Sequence, residues 1–236
     1  MNTLLLSAGM GRRLGYLTNN KPKCLIKIGD KPLIDIWIAK TLQLNVNKIF
    51  INTHYKARQI SQHLIITKKK NIKILYEKNL LGTAGTVLHN IDLFLQEDLL
   101  LIHTDNYTNF NLKALKEAHN LRPSSCDVTM LIFKTDKPSE SGIVKVNKQK
   151  ILIEYFQKVQ KPPSNLANGA VYILSKRFLL NYKKNFSKCR DFAEDVIPQL
   201  INKVYTHKTN KFFIDIGTHK SLLTAKSWIK KKLIIL

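Results

Sequence analysis

The stretch Ser7-Ala8-Gly9-Met10-Gly11-Arg12-Arg13-Leu14, continued by Lys21-Pro22-Lys23, decides how this chain is read. It follows the apolar run Leu4-Leu5-Leu6, and its two glycines let backbone N–H groups come close to an anion. Taken alone, Gly9-x-Gly11 fits a plain strand-to-helix turn equally well. A dinucleotide-binding fingerprint needs a third glycine where Leu14 stands, and a P-loop needs Gly-Lys-Ser/Thr, which is absent. What remains is an irregular loop that presents Arg13 and Lys23 after a glycine turn, an arrangement suited to a triphosphate. Arg12 and Lys21 read more simply as solvated charges.

Outward from this loop, short apolar runs at residues 3–7, 48–52, 72–76, 99–103 and 128–134 alternate with helical patterns at 33–43, 58–66, 83–90 and 112–120. The alternation predicts a doubly wound, Rossmann-like α/β sheet. Beyond Asp136 the pattern turns to strand-like segments at 142–146, 151–156, 169–174 and 212–216, with helical patterns at 193–202 and 220–231. No Gly/Ser-rich or charged linker interrupts the chain, so a single domain over residues 1–236 is expected.

The net charge of +23 invites a nucleic-acid or anionic-membrane partner. Its pattern argues against both, because the lysines are scattered and no zinc-finger, RNP or KH signature accompanies them. The longest basic runs are Lys68-Lys69-Lys70 and Lys230-Lys231-Lys232; the second leads into Leu233-Ile234-Ile235-Leu236, too short an apolar end for stable membrane insertion and better read as a frayed helix end. The opening residues carry no basic start and only a short apolar run, so a first strand and a cytoplasmic protein are expected. Cys24, Cys126 and Cys189 are odd in number and widely spaced, as ordinary reduced thiols are.

The loop at Ser7–Leu14 with Lys21-Pro22-Lys23 resembles the signature of sugar-1-phosphate nucleotidyltransferases, and the resemblance spans nearly the whole chain. Leu81-Gly82-Thr83-Ala84-Gly85 is similar to the family's base-binding loop, Asn168-Gly169 to its sugar-binding pair, and Asp105 and Asp215 to its metal aspartates. The pattern looks nearest to short guanylyltransferases acting on mannose or manno-heptose 1-phosphate. The implied fold is one GT-A-like α/β domain, with a mixed, mostly parallel sheet and helices on both faces. Its nucleotide-binding half would be about 1–135 and its sugar-phosphate half about 136–236.

The resemblance implies that Ser7, Ala8, Gly9, Gly11, Arg12 and Arg13 line the triphosphate, and that Lys23 contacts the reacting phosphate. Leu81, Gly82, Thr83, Ala84 and Gly85 would meet the nucleobase, with Glu77 near them. Gly142, Gln157, Lys158, Asn168 and Gly169 would hold the sugar phosphate. Asp105 and Asp215 would bind Mg²⁺, and Arg13, Lys23 and Asp105 would carry catalysis; the partners implied are a nucleoside triphosphate and a sugar 1-phosphate, in a monomer or homodimer. The residues agree in part: Asp105 follows Leu99-Leu100-Leu101-Ile102 at a strand's carboxyl end, where open α/β sheets place ligands, and Asp215 ends Phe212-Phe213-Ile214. Asp105 also fits a cap on a following helix. Arg12 departs from the family's Thr, His103-Thr104 from its Gly before the aspartate, and Gln157 from its acidic residue. Other bases and phosphate esters, or a catalytically silent nucleotide-sugar-binding homologue, remain the alternatives.

Overall fold

The computed structural model describes residues 1–67 and 71–234; the Lys68-Lys69-Lys70 run and the last two residues of the C-terminal tail lie outside them. The strands are β1 (Asn2–Leu6), β2 (Lys27–Ile28), β3 (Lys31–Pro32), β4 (Ile49–Thr53), β5 (Ile72–Tyr76), β6 (Leu99–His103), β7 (Asn106–Thr108), β8 (Val128–Lys134), β9 (Gly142–Val146), β10 (Leu152–Gln157), β11 (Leu166–Leu174), β12 (Val204–Thr209) and β13 (Phe213–Asp215). The α-helices are α1 (Tyr16–Asn19), α2 (Leu33–Leu42), α3 (Ala57–Ile66), α4 (Thr83–His89), α5 (Leu112–Asn120), α6 (Lys176–Phe186) and α7 (His219–Ile234). The α/β class and the mixed central sheet are as expected. No described helix is long and apolar enough to cross a membrane.

The chain divides into two compact units that interleave in sequence. The first takes Met1–Thr3, Leu81–Ile102 and Phe110–Lys211; the second takes Leu4–Leu80, His103–Asn109 and Phe212–Leu236. Two of the five cuts fall inside strands, one within β1 and one at the end of β6.

In the second unit, β4 and β5 run parallel, with Ile49 opposite Ile72 and Thr53 opposite Tyr76. Two short antiparallel pairs, β2 with β3 and β7 with β13, complete its strands. Leu14, Ile26, Ile28, Leu33, Tyr107, Ile216, Leu222 and Ala225 form one buried cluster, against which Phe212 and Trp228 stack with ring centroids 4.6 Å apart. The glycine loop, β7, β13 and α7 therefore share a core. Trp37 of α2 is fully buried, and its Nε1 donates to the Asn106 carbonyl across 2.8 Å.

In the first unit, β9 pairs antiparallel with β10 and β11, β11 pairs antiparallel with β6 and β8, and β12 lies parallel to β8. The register of β11 on β8 slips between Asn168 and Tyr172, which marks a bulge. Phe178 meets Tyr182 and Phe192 edge to face, and Phe186 packs at a tilt on Phe178 and Tyr182.

Three expectations change. The helix predicted at 193–202 is a wide π-type turn, Phe192–Val196, followed by a 3-10 turn, Ile197–Leu200. Pro198 has no N–H to give, so an α-helix cannot run through it. Asp105 is not a helix cap: β7 follows it, and the next helix, α5, is capped by Asn111, whose side chain accepts from the Lys113 N–H. Finally, α6 and β12 add a helix and a strand to the predicted set. The helix carries its own signals, a Ser175 side chain accepting from the Phe178 N–H and an apolar stripe of Phe178, Leu179, Tyr182 and Phe186.

Two tests follow. Replacing Trp37 by Ala empties a buried volume and removes its hydrogen bond to the Asn106 carbonyl, so urea unfolding should show a loss of roughly 3–5 kcal/mol. His119, buried in the first unit, shares a hydrogen bond with Thr129 Oγ1 at 2.8 Å and has Nε2 3.4 Å from Asp98. Burial pushes its imidazole down, Asp98 pulls it up and Arg122 pushes it down, with a net value below the usual one. His207 is lowered in the same sense by burial. The unfolded imidazoles take up protons as pH falls through about 6.5 while the folded ones resist, so their stability contribution is complete above that pH and is lost below it. A melting temperature followed from pH 7.5 down to 5.5 should fall less steeply in His119→Gln than in the parent (roughly the window set by an ordinary imidazole).

Candidate active site

Every residue expected at the triphosphate and the metal belongs to the second unit. β1 is buried along its whole length and delivers Ser7 at its carboxyl end. Ser7 is buried: its N–H donates to Asn52 Oδ1 across 2.6 Å, and Asn52 Nδ2 donates to Glu77 Oε1 across 2.8 Å. Its hydroxyl shares a 3.1 Å hydrogen bond with Thr104, which donates in turn to the Leu6 carbonyl. The start of the loop is thus fixed by residues at the ends of β4, β5 and β6. Glu77, expected near the base, is buried with Asn52 rather than open to a ligand.

Past Ala8, which is also buried, the loop turns outward. Gly9 is exposed, and a Cβ built on it would meet nothing within 4 Å. Gly11 sits at φ +67°, where a Cβ would lie 2.9 Å from Thr18 Cγ2 and 3.1 Å from Lys23 Cβ. The fold itself therefore requires a glycine at 11, whereas at 9 it leaves open space beside the backbone. Thr18 ties the turn together by donating to the Gly11 and Gly15 carbonyls.

Lys23 is only 9% exposed, on a short 3-10 turn. Its Nζ lies 2.8 Å from Asp105 Oδ2 and 3.7 Å from Asp215 Oδ1, while Arg13 Nη2 lies 3.8 Å from Asp215 Oδ2. The two carboxylates meet because β13 pairs with β7 so that Asp215 faces Asn106, and because the Ile216 N–H donates to the Asp105 carbonyl across 2.8 Å. Burial raises the Asp105 carboxyl, but Lys23 and His103 outweigh it and hold the group below the usual range. Asp215 is pushed up, first by burial and then by the Asp105 charge, against the pull of Lys23 and Arg13. A Cβ on Gly217 would lie 2.8 Å from Arg13 Nη2 and 3.0 Å from Asp215 Oδ1, so a side chain there would displace the ends of both. Arg12 and Lys21 are exposed.

The donor set fits a hard divalent cation in part: two carboxylates already converge on one positive group. Among the described residues no cluster of three or more His, Cys, Asp or Glu is placed to hold a metal ion. Such an ion would take its remaining ligands from water and substrate phosphates, as Mg²⁺ does.

The expected base and sugar residues lie in the first unit. Gly82 opens α4 at φ +82°, packed so closely on the Arg190 carbonyl that a Cβ would overlap it. The Ala84 and Gly85 N–H groups donate to the same carbonyl at 2.9 and 3.3 Å, and Thr83 Oγ1 donates to Asp191 and accepts from the Phe192 N–H. Ala84 is fully buried. Of the five residues expected to meet a base, Leu81, Gly82, Thr83 and Gly85 are part exposed, whereas Ala84 offers no surface to a ligand.

At the sugar cluster, Asn168 spends its amide internally: Nδ2 donates to Tyr172 OH at 2.6 Å and Tyr155 OH at 3.4 Å, and Oδ1 accepts from the Ala170 N–H at 2.8 Å. That last bond holds Ala170 at φ +51° in the bulge of β11, beside the buried Gly169. Tyr155 OH donates to Gln157 Oε1 across 2.7 Å, and a Cβ on Gly142 would overlap that hydroxyl. Gln157 Nε2 and Lys158 Nζ both donate to Glu194 Oε1, at 3.1 and 3.0 Å. Segment 190–194 thus touches both predicted motifs, although sequence reasoning passed over it. The signal for it is Asp191-x-x-Glu194, a capping pattern before an apolar run, and Asp191 Oδ1 does accept from the Ala193 and Glu194 N–H groups.

Carboxylates and cations gather at strand ends beside a glycine loop in an α/β protein, an arrangement suited to a phosphorylated ligand. The chain belongs to the nucleotidyl transferase family, whose model matches residues 2–232. It is 27% identical over 226 residues to a candidate mannose-1-phosphate guanyltransferase of Sulfolobus acidocaldarius, covering 94% of this chain and 61% of the relative. It is 26% identical over 247 residues to a glucose-1-phosphate adenylyltransferase of Clostridium botulinum, covering 94% and 64%. The chain thus spans about three-fifths of the length of these curated relatives. HddC from Yersinia pseudotuberculosis shares the fold, with a TM-score of 0.80, 22% identity, and coverage of 97% of this chain and 99% of that one.

The glycines give a paired test. Gly82→Ala meets a backbone carbonyl at a positive φ and should cost more than about 1 kcal/mol of unfolding free energy. Gly9→Ala enters open space and should leave thermal and urea unfolding within about 0.5 kcal/mol of the parent.

Proposed function

We propose that this chain transfers a nucleotidyl group from a nucleoside triphosphate to a sugar 1-phosphate and releases pyrophosphate. The observation that carries the proposal is the convergence of Asp105 and Asp215 on Lys23, with Arg13 beside them, under a loop whose Gly9 faces open space. Membership of the nucleotidyl transferase family supports it. GTP and mannose or manno-heptose 1-phosphate are the favoured pair, supported by the Sulfolobus relative's printed activity; the adenylyltransferase relatives keep other bases in the test panel.

In the proposed reaction a phosphate oxygen of the sugar 1-phosphate attacks the α-phosphorus in line, and the bond from that phosphorus to the bridging oxygen of the β-phosphate breaks. No general base is required, since a phosphate monoester with a second pKa near ~6 is already largely dianionic at neutral pH. The protein's tasks are therefore to position anions and to offset charge on the leaving pyrophosphate. Gly9 and Gly11 bring the loop backbone to the triphosphate, and Arg13 and Lys23 neutralise it. In the first unit, Lys158 takes the sugar phosphate. Asp105 and Asp215 would hold Mg²⁺, which supplies further charge neutralisation when bound.

The test is pyrophosphate release with Mg²⁺ and each of the four ribonucleoside triphosphates or dTTP, against a panel of sugar 1-phosphates. Lys23→Ala, Asp105→Asn and Asp215→Asn should each cut turnover by roughly 100-fold or more while far-UV circular dichroism stays unchanged. Gly9→Ala should weaken triphosphate binding without moving the melting temperature. Turnover retained in the aspartate variants would place the metal elsewhere, and silence of the parent with every pair would end the enzymatic proposal in favour of a nucleotide-sugar-binding role.

A further inference from the structure

The sugar cluster of the first unit ends in a carboxylate that no motif reading singled out. Glu194 sits in the turn Phe192–Val196, its backbone N–H held by Asp191 Oδ1 at 2.9 Å. Its side chain is about half exposed (49%), and one oxygen, Oε1, receives both Gln157 Nε2 and Lys158 Nζ. Among the described residues no hydrogen bond reaches Oε2, so this oxygen keeps its acceptor capacity. The two donors are themselves fixed. Gln157 Oε1 accepts from Tyr155 OH, which accepts from Asn168, and Lys158 is held in a left-handed backbone conformation (φ +49°) with its N–H on the Ser141 carbonyl.

We propose that Glu194 is the specificity-determining acceptor of this site, taking one or two hydroxyl hydrogens of the sugar on Oε2 while Gln157 and Lys158 steer Oε1. This rests on the proposed sugar 1-phosphate reaction and goes beyond it, because it names the group that reads the sugar. The chemistry favours a carboxylate here. An ionised acceptor makes a shorter and stronger hydrogen bond to a hydroxyl than a neutral amide does, and it can accept from two neighbouring hydroxyls at once. Asn168 and Gln157 are poorly placed for that task, since both amides are already committed within the chain. Lys158, released in part from Glu194 by an incoming phosphate, would keep one cation between two anions, so the ion pair seen here is compatible with a bound sugar phosphate.

The experiment compares the parent, Glu194→Ala and Glu194→Gln, with the best sugar 1-phosphate and its singly deoxygenated analogues. Expected for Glu194→Ala is a fall in kcat/KM for the parent sugar of roughly 10–100-fold, with KM for the triphosphate unchanged. At least one deoxy analogue should lose a similar factor with the parent enzyme and nothing further with Glu194→Ala, the signature of two partners in one contact. Glu194→Gln, which keeps an acceptor oxygen, should restore part of the discrimination; a purely structural role for the ion pair would not separate the analogues in this way. If the parent turns over and both variants discriminate among the analogues as it does, Glu194 does not read the sugar and the inference fails alone. If the parent turns over no pair of triphosphate and sugar 1-phosphate, the inference falls together with the proposed function.

Discussion

The pairing of β13 with β7 is the constraint on which the second unit's chemistry depends. Three residues on each side are enough to set Asp215 opposite Asn106, and one further backbone bond, from the Ile216 N–H to the Asp105 carbonyl, locks the two aspartates side by side. The chain separation between them is more than 100 residues, so nothing local holds this register. It is held by the core beneath, where Tyr107 from β7 and Ile216 from beyond β13 join Leu14 of the glycine loop and Leu222 and Ala225 of α7. A shift of one residue would turn the alternate side chains over and separate the carboxylates. Apolar packing thereby fixes a polar geometry that its own charges oppose.

The first unit is organised on a different principle. Its two predicted ligand motifs, Leu81–Gly85 and the cluster around Gln157, both rest on segment 190–194. The Arg190 carbonyl accepts the Ala84 and Gly85 N–H groups in the first turn of α4, which would otherwise be unpaired, and the Asp191 side chain accepts from Thr83 Oγ1. Three residues later Glu194 collects the side chains of Gln157 and Lys158. The same short turn, bent by the break at Pro198, thus caps a helix and anchors a hydrogen-bond chain running back to Asn168.

Much of this was legible in the sequence where a signal is local. The runs at 72–76, 99–103, 128–134 and 142–146 are strands with those same ends, since each is an apolar stretch long enough to announce itself. The glycine turn and the cations that follow it stand out by residue type, whereas Asp105 and Asp215 stand out only through the family resemblance. The losses have physical causes. β7 is three residues long and exists only through a partner beyond residue 210, while β12 is a polar run, Val204-Tyr205-Thr206-His207-Lys208-Thr209, that becomes a strand by lying on β8. Roles were harder than positions. Asn168 looks like a ligand-binding amide, yet its hydrogen bonds serve a bulge and two tyrosines; Glu194 looks like a surface acid, yet the bonded network ends on it. Burial and partner choice, which decide between such roles, are not written in residue type.

The charge balance around Lys23 carries the last step. Two aspartates face two cations: burial raises both carboxyls, but at Asp105 it is outweighed by Lys23, 2.8 Å away, and by His103, whereas at Asp215, 3.7 Å from Lys23, burial and the Asp105 charge prevail. One buried ammonium is thus serving as the shared counter-ion of a carboxylate pair, which keeps like charges from driving the pair apart. On the proposed function, a triphosphate that draws Lys23 and Arg13 to itself leaves Asp105 and Asp215 as adjacent anions with no cation between them. That is the state in which a divalent cation gains most by binding, and the cation in turn lowers the repulsion between the aspartates and the phosphates. On that reading, nucleotide and metal affinity would be linked through Lys23, the cation that both carboxylates share here.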